Sequence, residues 1–411
     1  MSILAFAYAC EPDKGSEPGA GWSWARALAT FDHICVITRA NNAEVIERSL
    51  PTIPERDRLS FVYVDLPKWA RFWKKGPRGL RVYYLLWQVA ALKAARRLRR
   101  QHSFEIVWHI TLANLWMGSL APLAGGRFVF GPVGGGAAAP VSLLPVLGVR
   151  GASLELARGG MTKLSRYLNP LARLAWRRAE LILVQNPESS SWIPKRHQHK
   201  AVVFPNALMA VADTPALARS GGGDTRPTML FAGMLFPLKG VSLAIKALEL
   251  LPEWRLIICG SGHDERRIRR LVRRRHLLDR VEFRGWVERK EVERVMREEA
   301  DVLVFPSLRD QAGFVVAEAT AAGLPAVCLD RGGPRLLGGI PVEAGSPRST
   351  AEALAAAIAK ARTVRPNALA DRSQQLLHLR KILTDRGVLR APPSALPDAG
   401  GPVPGKVGHG R

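Results

Sequence analysis

The sequence predicts an α/β protein of two Rossmann-like domains, each built on a parallel sheet. Three observations carry this prediction. Short apolar runs recur along the chain and alternate with segments of helical periodicity, the pattern of successive βαβ crossovers. A chain of 411 residues exceeds the size at which one core usually continues to grow. The polar, glycine-rich run at residues 220–227, SGGGDTRP, has the composition of a hinge surround between two such units. The expected divisions are a first domain over residues 1–205, a second over 206–362, and an atypical tail over 363–411.

Taken in order, residues 2–10 are an apolar run expected as the first strand. No basic residues precede it, so it lacks the form of a secretory signal. GSEPGAGWSW follows as a glycine-rich turn opening a helix over residues 22–30. Gly19 and Gly21 would let a ligand approach the backbone closely there, and the helix start favours an anion. Further strands are expected at 33–38, 59–65, 105–110, 127–131, 181–184 and 201–205, with helices at 80–100 and 171–179. His109 ends one of these strands, at the rim where open parallel sheets bind their ligands. The longest uncharged run, residues 128–149, is interrupted by Pro132, Pro140, Pro145 and several glycines, so it is not expected to cross a membrane.

The second domain is expected to start with a strand at 228–232. A loop at 233–240, closed by Lys239, leads to a helix over 241–250. A strand at 253–260 ends in the turn at Gly260, a very basic helix covers 266–275 as a solvated face, and residues 281–283 lead to Gly285 and Trp286. The stretch 301–333, DVLVFPSLRDQAGFVVAEATAAGLPAVCLDRGG, is the densest in information. Two apolar strands, 302–305 and 326–329, flank an alanine-rich helix, which makes a buried β-α-β crossover. Gly313 stands where that helix begins, so the amides of Gly313, Phe314 and Val315 are placed to meet a phosphate. Glu318 lies about one turn further in, with a carboxylate able to accept from a diol, and Asp310 approaches from the loop. Residues 350–361 form the last expected helix of the domain. Residues 391–411 hold five prolines and five glycines, too little apolar surface to order themselves.

Charge adds a second line of argument. Sixty Lys and Arg against 35 Asp and Glu give a net +25, and residues 66–104 alone hold eleven basic residues and no acidic one. Such a field attracts phosphate-rich partners. In that stretch Lys74, Lys75, Arg78 and Arg81 alternate with Trp69, Phe72, Trp73, Tyr83, Tyr84 and Trp87, a mixture suited to an anionic membrane surface. A solvated helix whose aromatics belong to the core is the alternative. The four cysteines, Cys10, Cys35, Cys259 and Cys328, have no framework spacing and are expected as buried thiols of a cytoplasmic protein, with any membrane contact peripheral.

Several motifs together resemble family 4 of the retaining glycosyltransferases, which have the GT-B fold. They are GSEPGAGW at 15–22, WHIT at 108–111, GPVGGG at 131–136, FAGMLFPLKG at 231–240, CGSGHDE at 259–265, and a carboxylate pair with seven residues between them at Asp310 and Glu318. The resemblance implies transfer of a hexose from a UDP- or GDP-sugar to a glycan or lipid-linked acceptor in polysaccharide biosynthesis. Lys239 would bind the donor diphosphate, Asp310 a sugar hydroxyl, Glu318 the ribose, and His109 the sugar from the opposite domain. Trp286 and Gly260 would border the nucleotide. No cofactor or metal is expected, since protein cations would serve the diphosphate, and nucleic acid is not an expected partner.

This chain departs from the pattern in three places. Met234 replaces an arginine five residues before Lys239, and a thioether cannot replace a charged planar fork. The loss would cost roughly 2–4 kcal/mol of transition-state stabilisation; Arg309 and Arg331 are candidate substitutes. Ala137 replaces an acidic residue after GPVGGG. Beyond residue 362 the resemblance fails: the family ends with helices that brace the first domain, whereas this tail reads either as a partly disordered extension or as a lesion that removes the brace. A catalytically weak protein that binds a sugar nucleotide or a partner therefore remains the alternative, and a nucleic-acid binder is favoured by charge alone.

Overall fold

The computed structural model describes residues 2–71, 79–208, 226–363 and 372–389. The first lobe holds seven strands: β1 (Ser2–Phe6), β2 (His33–Arg39), β3 (Leu59–Val64), β4 (Ile106–His109), β5 (Arg127–Val133), β6 (Ala179–Val184) and β7 (Ala201–Val203). They lie in the order β3-β2-β1-β4-β5-β6-β7 and pair in parallel. Strand runs that are apolar almost throughout are what a parallel sheet covered on both faces requires. Along β1, Ile3 and Ala5 enter one buried cluster while Leu4 and Phe6 enter another, so the pleat feeds two cores. Helix α1 (Ser16–Ala29) covers the first face with Trp24 and Leu28. Helix α2 (Leu80–Leu98) covers the second with Tyr83, Tyr84, Trp87 and Ala91.

After β5 the chain forms the long helix α3 (Gly148–Leu168) and the shorter α4 (Pro170–Arg178). The Asn169 side chain separates them and caps α4 by accepting from the amides of Leu171 and Ala172. The turn that precedes α3 belongs to the other lobe in packing terms. Leu143, Leu144, Val146 and Leu147 are buried in the second lobe's core cluster, and Arg267 donates to the Val146 carbonyl at 3.0 Å.

The second lobe has six parallel strands in the order β10-β9-β8-β11-β12-β13. They are β8 (Thr228–Ala232), β9 (Arg255–Cys259), β10 (Val281–Gly285), β11 (Val302–Phe305), β12 (Ala326–Leu329) and β13 (Ile340–Val342). The helices that position the site are α5 (Val241–Glu249), α6 (Arg289–Glu298), α7 (Phe314–Ala321) and α8 (Pro347–Ala361). The β-α-β unit expected at 301–333 is present as β11, α7 and β12.

The expectation of an atypical, partly disordered tail from residue 363 requires correction for its first part. Helix α9 (Arg372–Asp385) places Leu379 and Leu383 in the first lobe's core, followed by Val388 and Leu389. Arg386 donates to the His199 carbonyl at 2.7 Å, and Arg127 to the Val388 carbonyl at 3.3 Å. Burial of four aliphatic side chains outweighs the weak helical periodicity that hid this segment. The proline- and glycine-rich part at 391–411 lies outside the described residues.

All four cysteines are buried and unpaired. Burial pushes the thiol of Cys259 up to about 11 and that of Cys328 to about 12, as inert core thiols require. No helix among the described residues is long and apolar enough to cross a membrane.

Candidate active site

The carboxyl ends of the two sheets face one another across a cleft of about 1060 Å³. From the first lobe it is lined by the loops after β1, β4 and β5, including Lys14, Asn114, Trp116 and Gly135, and by Glu17 in the first turn of α1. From the second come the loops after β8, β9, β10 and β11, including Met234, Gly260, Trp286 and Asp310. This is the rim at which parallel sheets collect ligands. Three of the four non-glycine residues with positive φ among the described residues, Asp13, Ser16 and Leu112, stand on the first-lobe wall. The Glu17 carboxylate holds the Leu112 amide at 2.6 Å, and burial raises its pKa.

On the second-lobe wall, Lys239 Nζ lies 2.5 Å from Asp310 Oδ2. Backbone geometry sets this meeting. Gly240 has φ 70°, and a Cβ there would lie 2.0 Å from the Pro306 carbonyl, so only glycine lets the two loops pass. The other Asp310 oxygen accepts from the amides of Ala312 at 3.2 Å and Gly313 at 2.8 Å, which caps the approach to α7. The amides of Phe314 and Val315, at the first two positions of α7, have no acceptor within the helix, and both residues line the cleft. Glu318 lies one turn deeper. Burial raises its pKa, and the Arg289 guanidinium, 3.4 Å away at the start of α6, opposes that rise. Trp286 leaves its ring 73% exposed on the cleft wall.

The structure thus brings Lys239, Asp310, Phe314, Val315, Glu318, Gly260 and Trp286 to one cleft. It corrects the placing of four others. His109 is 1% exposed and lies beneath the cleft surface. Its Nε2 is 2.6 Å from the Tyr84 hydroxyl and its Nδ1 2.6 Å from Ser119 Oγ, so Tyr84, rather than the imidazole, lines the cleft. Gly19 and Gly21 sit inside α1, which starts at Ser16, six residues before the expected start. A Cβ at Gly19 would lie 1.8 Å from the Lys14 carbonyl, and one at Gly21 2.0 Å from that of Ala9, so these glycines serve close backbone packing. The Gly313 amide is taken up by Asp310 and is not available to an anion.

Neither candidate substitute for the missing arginine lines the cleft. Arg309 pairs with Glu155 at 3.5 Å, and Arg331 donates to the Ala138 carbonyl at 2.8 Å. Among the described residues the cations that do line it, besides Lys239, are Lys14, Arg81, Arg289 and Lys290. Arg81 lies over the Trp116 ring at 4.9 Å, which places it on the cleft wall. Lys74, Lys75 and Arg78 lie outside the described residues, as do Phe72 and Trp73. Tyr83, Tyr84 and Trp87 are core residues, which leaves Trp69, 77% exposed, as the one described aromatic of that set at the surface. Among the described residues no group of three or more His, Cys, Asp or Glu is arranged to hold a metal ion.

Sequence reasoning also missed the contact between lobes. Gln311 Oε1 accepts from the Gly135 amide at 3.0 Å, and Asn186 donates to the Gln311 carbonyl at 3.0 Å. Glu188 accepts from the Gly332 amide at 3.1 Å and pairs with Arg335 at 3.0 Å. Gln311 directly follows Asp310, so the closure contact and the Lys239 pair share one loop.

His109 supplies a first test. A histidine titrates near 6.5 when unfolded, and burial lowers this one to about 4. Between those values the unfolded chain binds the extra proton, so stability falls as pH drops through that window, by about 3 kcal/mol in full. His109→Gln is expected to remove this part of the acid sensitivity. Urea midpoints of both proteins from pH 7 to pH 4 check it; parallel curves would show that the imidazole is not buried in its neutral form.

Comparison with known proteins fits this architecture. The sucrose-phosphate synthase structure from Thermosynechococcus elongatus matches with a TM-score of 0.62 at 16% identity, over 94% of this chain and 99% of that one. Anabaena HepE, solved in complex with UDP and glucose, matches with a TM-score of 0.60 at 17% identity, over 94% and 100%. Two Rossmann-like lobes opposed in this way define a GT-B protein. Residues 216–381 match the family described as Glycosyl transferases group 1, and the match runs into α9. That match lies mostly in the second lobe, which is therefore similar to the group 1 glycosyltransferases. A curated relative, the D-inositol 3-phosphate glycosyltransferase of Xylanimonas cellulosilytica, is 34% identical over 160 residues, 36% of this chain and 38% of that protein. The GDP-mannose:cellobiosyl-diphosphopolyprenol alpha-mannosyltransferase of Xanthomonas oryzae is 30% identical over 138 residues, 31% and 36%. The chain thus matches little more than a third of the length of these relatives.

Proposed function

We propose that the cleft binds a UDP- or GDP-linked hexose and that the protein transfers the hexose, with retention, to a glycan or lipid-linked acceptor in polysaccharide biosynthesis at the cytoplasmic side of a membrane. The observation that carries this reading is the Lys239–Asp310 pair at the head of α7, with Glu318 one turn behind it. In the structure Lys239 is paired with Asp310. An arriving diphosphate offers Lys239 a stronger anion, adds the Phe314 and Val315 amides, and frees Asp310 Oδ2 for a sugar hydroxyl. Glu318 accepts from the ribose hydroxyls, and Trp286 presents its face to the base. As the bond from the sugar C1 to the phosphate oxygen breaks, the acceptor oxygen bonds C1 on the same face. Its proton passes to the departing phosphate, whose growing charge Lys239 stabilises. HepE was solved with UDP, and the Xanthomonas relative is named for GDP-mannose, so the comparisons support a nucleotide sugar without selecting its base.

A binding panel of UDP, GDP and their hexose derivatives tests this, with Glu318→Gln as the diagnostic variant. Loss of one charge-assisted contact is expected to weaken nucleotide binding roughly 10- to 100-fold. The same change should raise the melting temperature at neutral pH. A carboxyl with a raised pKa costs stability once pH exceeds its ordinary 4.5, and the cost is absent below that value. The stabilisation should therefore fade as pH falls to 4.5. Unchanged nucleotide affinity would remove Glu318 from the ribose site, and a wild-type protein that binds nothing in the panel would end the whole reading.

A second reading is favoured by Met234, which stands 57% exposed on the cleft wall where the resemblance expects a cation. On that reading the protein binds the sugar nucleotide but turns it over weakly. Tight binding without detectable hydrolysis or transfer would select it.

A further inference from the structure

We infer that the outer face of α3, with the basic surfaces beside it, docks the first lobe onto an anionic lipid bilayer. Helix α3 is inside out by the standard of a helix in water. The residues it buries are Glu155 and Thr162. Glu155 is held by Arg158 at 2.7 Å and Arg309 at 3.5 Å, and Arg166 turns to the Ile193 carbonyl at 3.2 Å. Outward it presents Leu154, Leu156, Met161, Leu164, Tyr167 and Leu168, each 58–67% exposed, after Val149 at 90%. Of twenty large apolar residues exposed among the described residues, seven lie on this one helix. In water a helix buries its apolar stripe and exposes its charges. A reversed one, with a contiguous apolar face, marks a surface made for another phase or partner.

Charge selects the occupant. Residues 157–179 contain six basic residues and no acidic one. Lys163 on α3 and Arg173, Arg177 and Arg178 on α4 are exposed. On α2 the apolar side chains of Val82, Leu86 and Val89 are also exposed, and Lys93, Arg96, Arg97 and Arg100 follow them. Apolar residues entering the acyl boundary beneath a rim of cations is the arrangement of an interfacial helix on anionic lipid. A second copy of this chain would instead set like charge against like.

The face also ends at the cleft. Asn169, just beyond α3, donates to the Trp116 carbonyl at 2.7 Å, and Trp116 lines the cleft beneath Arg81. A substrate anchored in the bilayer would therefore meet the cleft mouth without leaving its membrane. The inference stands apart from nucleotide binding, because vesicle association is read without nucleotide or turnover.

Flotation of the full chain with vesicles of phosphatidylcholine, alone or mixed with phosphatidylglycerol, is the test. The wild type is expected to float with the mixed vesicles and at least about tenfold less with phosphatidylcholine alone. The double variant Leu164→Glu, Leu168→Glu is expected to lose about tenfold or more of that binding. Both leucines are exposed, so folding does not depend on them. Leu278→Glu, at a 66% exposed leucine of the second lobe, should bind as the wild type does. A double variant that floats like the wild type overturns the inference, as does a wild type that binds neither vesicle. A wild-type dimer that the double variant splits, with no vesicle binding, assigns the face to a second copy and overturns it too.

Discussion

Replacing Lys239 by methionine is expected to slow transfer by roughly 100- to 1000-fold, the loss that follows removal of one preorganised donor from a developing oxyanion. The effect should fall mainly on kcat, because the charge on the phosphate oxygen grows as the bond to the sugar breaks. The variant also leaves Asp310 Oδ2 without its partner at 2.5 Å, in a side chain only 14% exposed. Its stability should drop as well, and adding Asp310→Asn should restore the stability but not the rate. Steady-state kinetics and melting curves of the three proteins separate the two effects. If kcat survives in Lys239→Met, the diphosphate is held elsewhere in the cleft.

Met234→Arg is expected to do the reverse, tightening nucleotide binding and raising turnover roughly 10- to 100-fold. The loop after β8 is pinned on both sides of this position. The Gly233 amide donates to the Cys259 carbonyl and that of Leu235 to the Ser261 carbonyl, both at 2.9 Å. The direction of the side chain at 234 is thereby fixed toward the cleft, where it is 57% exposed and a longer side chain has room. Titration of the variant with UDP and GDP, followed by turnover with their sugars, reads the gain. An unchanged affinity would show that Lys14, Arg81 or Arg289 already fills the place of the absent guanidinium.

The contrast between α7 and α3 explains how much of this was legible in the sequence. Strands β11 and β12 are buried on both faces, so they read as unbroken apolar runs, and the helix between them followed from length and composition. That fixed Asp310 and Glu318 on one rim without coordinates. Helix α3 stayed hidden because Gly151, Gly159 and Gly160 interrupt it, residues that argue against a helix, and periodicity alone does not say that its apolar face points outward. His109 was correctly set at a strand end. Its depth is decided by Tyr84 and by the loop carrying Thr111 and Ser119, and strand periodicity carries no information about what covers a rim. The contact of Gln311 with Gly135 and Asn186 joins residues more than a hundred positions apart, beyond any local pattern.

The return of α9 to the first lobe has a mechanical consequence. The chain passes from the first lobe to the second between β7 and β8, and back again between α8 and α9. A lobe fixed at both ends cannot spin on a single thread. Two ties leave it fewer ways to turn, so an opening of the cleft has to break the Gln311 and Glu188 contacts together.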